Sequence, residues 1–438
     1  MQGKHGSEGV RYDRAQLLRL GTLAAAPLVL GLPAARAAIA DDVIHGRRAR
    51  LAARLKNGEL AWWPTWGGGY HYVPRRVLTT QESAAFVARR LNRFGAKPFI
   101  EPRTAEAFKF AGIAELQVAV QKPAVPQILA GTFGKEASSR REPAVAPHYV
   151  LFGEPEYERG PFGPPTPAAA ETPYAPAPPE GGPRVAVIDT GYHWGIHPDL
   201  DAHVLPKAGA SQLPDVTPHD SVLDDEAAHG LFITGIIVRL AQTVTVEIVR
   251  ALDGLGLAKE GTIVAALTAF ARRGDVNVIN LSLGALGDPR FPPVGLAQAL
   301  ARLPSTTAVV AAAGNNHTNQ PMYPAAFARV VGVAAAADRS GTPAVFTNYG
   351  PWVDCYAPGV DVPSAFDDWN GLVPTNPQST ETFNGWATWN GTSFAAPKVS
   401  GTIAALVGPA ATGQQAADAL VNDPTRPWRA DYGRFLDL

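Results

Sequence analysis

The chain has 438 residues, 46% of them hydrophobic, enough to bury the core of one large domain and a smaller one. Its 38 Lys and Arg balance 39 Asp and Glu, a formal net charge of -1 that excludes a global field able to gather nucleic acid or an anionic membrane surface. A single cysteine, Cys355, excludes an internal disulfide framework and any CxxC metal or redox site, and is expected to be a small buried apolar side chain.

Residues 1–37 read as an export signal. Arg11, Arg14 and Arg19 precede an apolar Ala/Leu-rich run over 20–32, and Ala35-Arg36-Ala37 offers small residues at a cleavage spacing. The run is too short for a permanent membrane helix. Asp13-Arg14 stands where a twin-arginine motif would carry two arginines, so the export route stays open. A secreted, extracytoplasmic protein with no integral membrane segment in its mature form is expected. Residues 38–69 form an N-terminal extension, with a basic helical stretch over 47–56 and then Trp62, Trp63, Trp66 and three glycines, read as loop or packing.

Over 70–156 the pattern becomes organised. Ala85, Phe86, Ala88, Leu91 and Phe94 fall near helical spacing in a helix predicted over 81–94, and 116–120 and 148–152 alternate as strands. A small α+β unit is expected, with helices on one face of a sheet. Residues 157–182 are a Pro-rich linker, whose composition disfavours both helix and sheet. From 183 to 438 the texture changes. Short β-branched runs at 184–188, 244–249, 276–281, 308–312 and 329–333 alternate with helical patterns such as 262–272 and 293–303, which predicts an α/β domain with a doubly wound, mostly parallel sheet and helices on both faces.

In such sheets functional residues collect at the carboxyl ends of strands. Asp189 follows the strand 185–188 in VAVIDTG, His229 opens an apolar helix, and Ser393 sits in GTSFAAP before another helix. Each taken singly has a bland account, as a turn Asp, a core His or a Ser N-cap. Together they supply a nucleophilic hydroxyl, an imidazole to take its proton and a carboxylate to orient the imidazole. GTSFAAP puts Ser393 at a helix N-terminus, where unpaired N–H groups and the dipole favour a developing anion. Pro397 is expected in the first turn of that helix, where no intrahelical bond is lost.

On four separate words, VAVIDTG with HPDL following, HG before an apolar helix, AAAGN, and NGTSFAAP, the region from 185 to 438 resembles the subtilisin-like serine proteases, and the chain order Asp, His, Ser is theirs. The segments INLSLG at 279–284, YPA at 323–325 and FTNYGP at 346–351 add to the likeness. The resemblance implies that Asn315 donates its side-chain amide to the oxyanion of the tetrahedral intermediate, with the Ser393 backbone N–H as second donor. It further implies that Ser282, Leu283 and Gly284, with Gly314 beside Asn315, bind a protein or peptide substrate as an added extended strand. The unit 70–156 stands where these enzymes carry a pro-domain that assists folding and blocks the site, so the chain's own N-terminal unit is an expected partner.

Two departures stand out. A second histidine common in the family's HGTHVAG word is Phe232 here, and residues 364–389 look like an inserted loop near the site. The chemistry requires no cofactor. Asp199 in HPDL aligns with a position that serves calcium in some relatives, and Asp224, Asp225 and Glu226 form an acidic turn. Neither has the spaced oxygen ligands of a calcium loop, so a structural calcium lacks support and no metal residue is assigned. His193 and His197 lack a third ligand and are read as structural. The alternatives are a sedolisin-like acid peptidase, against which His229 and Asn315 argue, an α/β-hydrolase, whose G-x-S-x-G word is missing, and a peptide-binding pseudoprotease, against which the full set of four residues argues.

Overall fold

The alternation of apolar residues with a period of two in one part of the chain and about 3.6 in another sets out the elements of the molecule. A computed structural model describes residues 46–66, 68–134, 144–153, 164–205, 211–214, 221–373 and 376–438. The export segment 1–37 lies outside the described residues, as do 154–163, which cover the end of the unit expected over 70–156 and the start of the linker, and Gly67.

The N-terminal part runs α1 (Gly46–Lys56), β1 (Ala61–Trp63), β2 (Tyr70–Thr80), α2 (Ala84–Arg90), β3 (Lys97–Phe99), α3 (Ala105–Ala111), β4 (Ile113–Gln117), α4 (Val125–Phe133) and β5 (Val145–Gly153). The strands form an antiparallel sheet in the order β5-β2-β4-β3, with β1 on β2. Val87, Phe108, Ile128 and Leu129 from the helices pack on Val77, Leu78, Leu116 and Tyr149 from the strands. The helix predicted over 81–94 is shorter, because after α2 the chain tightens into a 3-10 turn over Asn92–Phe94 that Gly95 ends with a left-handed φ of 68°. β4 begins three residues earlier than predicted, directly after the left-handed Gly112 that caps α3.

The linker is not wholly without pairing. A two-residue strand β6 (Thr166–Pro167) lies on the edge of a later hairpin, where a proline's missing N–H is tolerated. The remaining elements are β7 (Arg184–Asp189), α5 (Pro198–Asp201), α6 (His229–Leu240), β8 (Thr245–Arg250), β9 (Leu257–Lys259), α7 (Glu260–Arg273), β10 (Val278–Leu281), β11 (Leu283–Leu286), α8 (Val294–Ala301), β12 (Ala308–Ala312), β13 (Met322–Tyr323), β14 (Val331–Ala336), β15 (Cys355–Pro358), β16 (Val362–Val373), β17 (Asn376–Trp389), α9 (Thr392–Leu406), α10 (Gly413–Val421), β18 (Trp428–Arg429) and β19 (Gly433–Phe435). The segment expected as an inserted loop at 364–389 is the long antiparallel hairpin β16–β17, bulged between Ala365 and Asp368.

The main sheet has the order β8-β7-β10-β12-β14-β15-β19-β18, parallel throughout except for the last pair. Side chains alternate across it. Val185, Val187, Val278 and Val310 face α6, α9 and α10, whereas Ala186, Ile188, Ile279 and Val309 face α7, α8 and the N-terminal unit. The molecule is therefore a doubly wound α/β domain preceded by a small α+β unit. From β7 the chain goes to β8 on one side and to β10 on the other, and a crevice opens at the carboxyl ends of strands where the winding reverses.

Candidate active site

Asp189 ends β7 at that crevice, its side chain fully buried. Its Oδ1 accepts from the Thr190 N–H at 2.7 Å and from His229 Nδ1 at 2.8 Å. The second bond makes Nδ1 the protonated nitrogen and leaves Nε2 the basic one. Thr190 Oγ1 accepts from the Gly230 N–H at 3.1 Å and donates to Gln212, whose amide reaches the Glu226 carbonyl at 3.0 Å. The strand end and the turn before α6 are thus tied together. His229 is the first residue of α6, and Ala228 before it holds a left-handed φ of 57°, a strained conformation for a residue with a Cβ that the surrounding bonds impose. A Cβ on Gly230 would lie 2.2 Å from the Gly191 carbonyl, so the helix start can approach β7 only with glycine there.

The imidazole is walled by aromatic rings. Trp389 and Phe394 meet it edge-on with centroids at 5.7 Å and 5.5 Å. Phe232, in place of the second histidine, sits 4.7 Å from Phe394 and 5.8 Å from Trp389, which completes an apolar cluster behind the ring. Trp389 comes from the end of β17, so the inserted hairpin contributes directly to the site.

Ser393 is the second residue of α9 and is buried. Its Oγ lies 3.4 Å from the Ser282 carbonyl, at the long end of a hydrogen bond. Pro397 is not in the first turn, as expected from the sequence, but inside the helix. Without an N–H it cannot bond the carbonyl four residues back, that of Ser393. That carbonyl accepts instead from Ser282 Oγ at 2.9 Å. Ser282 Oγ is in turn bonded by Asn280 Nδ2 at 3.0 Å, and Asn280 Oδ1 accepts from Ser400 Oγ at 2.8 Å. The proline thus frees a carbonyl that locks the serine's turn to β10.

Asn315 stands after β12 with its Oδ1 held by the Thr392 N–H at 2.9 Å and Thr392 Oγ1 at 3.0 Å. With the oxygen so fixed, the amide orientation is fixed as well. Thr392 Oγ1 also accepts from the Gly314 N–H at 3.0 Å, so Gly314 serves to hold the loop that carries Asn315. Asn348 braces the same loop, donating to the Ala313 carbonyl and accepting from the N–H groups of Asn316 and Thr318.

The crevice contains a strand of the chain itself. β5 lies antiparallel between β9 and β11, with Phe152 opposite Gly284, Gly153 opposite Leu283, and Val150, Leu151 and Phe152 opposite Lys259, Ala258 and Leu257. Leu283 and Gly284 therefore present their backbone to an extended segment, whereas the Ser282 side chain turns inward to Ser393. Beside this junction Glu260 is buried. Its Oε1 accepts from the Leu296 N–H at 3.0 Å and its Oε2 from the Tyr149 N–H at 3.3 Å, and burial still pushes its pKa up to about 7, opposed by His148 and these N–H groups. His148 Nε2 accepts from the Gly261 N–H at 3.2 Å while Nδ1 faces Glu115 at 2.9 Å.

Sequence reasoning did not single out Thr392, Asn280 or Ser400, whose roles depend on pairing across the sheet. It treated Glu226 as part of an acidic turn, yet Glu226 Oε2 lies 4.0 Å from His229 Nε2. The other acidic and histidine candidates have protein partners. Asp199 accepts from the Tyr174 and Leu200 N–H groups, His193 pairs with Asp367 at 2.7 Å, and His197 Nε2 donates to the Gly385 carbonyl at 2.7 Å. Cys355 is buried in β15, where burial pushes its thiol pKa well up. Among the described residues no helix is long and apolar enough to cross a membrane.

Comparison with known proteins bears on this geometry. The model of the subtilase family matches residues 180–427, more than half of the chain. The Thermophilic serine proteinase of Bacillus sp. (strain AK1) is 35% identical over 237 residues, which cover 51% of this chain and 52% of that protein. M-protease of Shouchella clausii (strain KSM-K16) is 34% identical over 235 residues, covering 52% of this chain and 54% of the relative. Subtilisin Savinase of Lederbergia lenta is 33% identical over 232 residues, covering 51% and 75%. The aligned region spans about half the length of the first two relatives. In fold the chain is similar to fervidolysin from Fervidobacterium pennivorans, a keratinolytic enzyme related to subtilisin, with a TM-score of 0.53 and 19% identity over 84% of this chain and 60% of that one.

Proposed function

The chain belongs to the subtilase family, and from that premise we propose that it is a secreted serine endopeptidase working through Ser393, His229 and Asp189, with Asn315 as oxyanion donor. The observation that supports this best is the 2.8 Å bond from His229 Nδ1 to a fully buried Asp189, which leaves Nε2 the basic nitrogen of a ring that lies 5.5 Å, centroid to centroid, from Phe394, the residue next to Ser393. In the proposed reaction Nε2 takes the Ser393 proton as Oγ attacks the peptide carbonyl, and the oxygen becomes an anion facing the Asn315 amide and the Ser393 N–H. The imidazolium, stabilised by Asp189, then protonates the leaving amine. Water enters and attacks the acyl carbonyl as it gives a proton to His229, and the imidazolium returns that proton to Ser393 Oγ as the ester bond breaks and the acid leaves. The test is a fluorophosphonate probe. Labelling of Ser393 that is lost in His229→Ala supports an activated serine, and a chain that stays unlabelled even after its N-terminal unit has been cleaved off would point to a peptide-binding pseudoprotease.

In this reading residues 70–156 are a pro-domain, and the strand β5 lying along Leu283 and Gly284 is the support, because it takes up the backbone edge that an extended substrate needs. A catalytic domain starting near residue 182 should then fold poorly alone and recover when residues 40–160 are supplied in trans. Equal yields with and without that segment would remove the folding role. Secretion rests on the signal-like segment 1–37, and the N-terminus of exported protein would locate its cleavage.

A further inference from the structure

β5 shows which groups a bound peptide meets, position by position. Gly153 lies opposite Leu283, and its N–H donates to the Gly256 carbonyl at 2.7 Å. The next residue along the β11 side is Ser282, whose carbonyl faces Ser393 Oγ. A substrate strand laid in the same register therefore brings to the serine the carbonyl of the residue one beyond the Gly153 position. The Gly153 position is then the second residue before the cleaved bond.

That position is narrowed by two side chains. A Cβ built on Gly153 would stand 3.0 Å from Leu252 Cδ1 and 3.4 Å from Glu226 Oε2, and both side chains are buried. The Leu252 N–H is bonded to the Asp189 carbonyl at 3.1 Å, which fixes its main chain to the end of β7. Glu226 packs on the bare Cα of Gly256, where a Cβ would lie 2.4 Å from Glu226 Cγ, and on its other side its Oε2 is 4.0 Å from the His229 imidazole.

We propose that Glu226 and Leu252 form a specificity filter that admits glycine, and next alanine, at the second residue before the cleaved bond. This rests on the endopeptidase reading. Larger side chains must displace packed atoms, and an acidic one also brings a like charge against a carboxylate in a place with little water to screen it. Glu226 is thus a specificity-determining residue, and the preferred substrates are extended peptides with a side-chain-free residue there.

The test uses the full chain and one peptide sequence varied only at that position. kcat/KM for Gly should equal or exceed Ala, Leu and Lys should be lower by about 10- to 100-fold, and Glu should be lowest. Glu226→Ala should narrow the Gly-to-Leu gap by about tenfold. A flat series overturns the proposal, as does Lys equal to or better than Gly, which would make Glu226 a receptor for cations. A second measurement needs no turnover. In a Ser393→Ala chain, Gly153→Leu should speed hydrogen exchange of the β5 amides over 150–153, and adding Glu226→Ala should slow it again. Unchanged exchange in Gly153→Leu would overturn the filter. If no peptide is cut and Ser393 is not labelled, the endopeptidase reading fails, while the exchange cycle still decides whether these two side chains shape the subsite.

Discussion

The two large sheets of this molecule are held together in different ways. The main sheet is parallel and buried on both faces, and Val185 to Ile188 in its β7 are wholly inaccessible to solvent. The antiparallel sheet is a composite, in which β5, β2, β4 and β3 from the N-terminal unit continue through β9, β11 and β13 of the α/β domain. The first positions chemical groups. The second joins two units by main-chain bonds, with the buried groups Glu260, His148 and Glu115 at the seam. A catalytic constellation needs the rigidity of the first, whereas a segment that fills a cleft needs an edge that it can leave.

Removing the serine hydroxyl tests whether these two regions are independent. Ser393→Ala should lower kcat by about 10⁶ while leaving the β5 and β11 pairing intact, measured as peptide hydrolysis beside hydrogen exchange of residues 150–153. Residual activity of a tenth would break the assignment. Asn315→Leu should follow, lowering kcat by about 10²–10³ with little change in KM, the range known for subtilisin's own oxyanion donor. If a thermal melt of the same preparation drops while kcat holds, Asn315 is a loop residue of the parallel sheet and no more.

The seam between the two units should respond to pH through Glu260. Burial raises its folded pKa from the ordinary 4.5 to about 7, so across that window the unfolded chain releases a proton that the folded one keeps. Stability then falls as pH rises from about 4.5 to 7 and levels off above, a loss of about 3 kcal/mol at most. Melts of the Ser393→Ala chain across this range should show the slope, and Glu260→Gln should flatten it. A slope that persists in the Gln variant would assign it to another group. The smallest effect belongs to the outer surface of the α/β domain. Arg339 and Asp437 pair at 2.8 Å in the open, and Arg339→Ala should change stability by under about 1 kcal/mol in a denaturant titration.

Much of the fold can be read from neighbouring residues. The short β-branched run at 184–188 declares a strand with two buried faces, and the small-residue run at 308–312 does the same for β12, whose bounds the structure reproduces. Edges are harder to read. β4 starts three residues early because the left-handed Gly112 ends α3 there, and the helix over 81–94 breaks near Asn92 because the next turn is 3-10. The hairpin β16–β17 reads as a loop, since Asp367, Asp368 and Asn370 interrupt its apolar pattern. Asp367 is in fact buried against His193, a pairing across 174 positions that local patterning cannot express.

Local stretches of the chain carry the identity of the candidate chemical groups. VAVIDTG, HG, AAAGN and GTSFAAP each join a residue to the strand end or helix start that presents it, and that information is local. Tertiary structure alone decided how these groups are supported. It sets Trp389 against His229, brings Glu226 within 4.0 Å of the imidazole, turns the carbonyl freed by Pro397 toward Ser282, and lays Gly153 beside Leu283. These contacts depend on register between strands and on the packing of helices over a sheet. Both are set by the summed burial of many distant side chains rather than by any one stretch of chain.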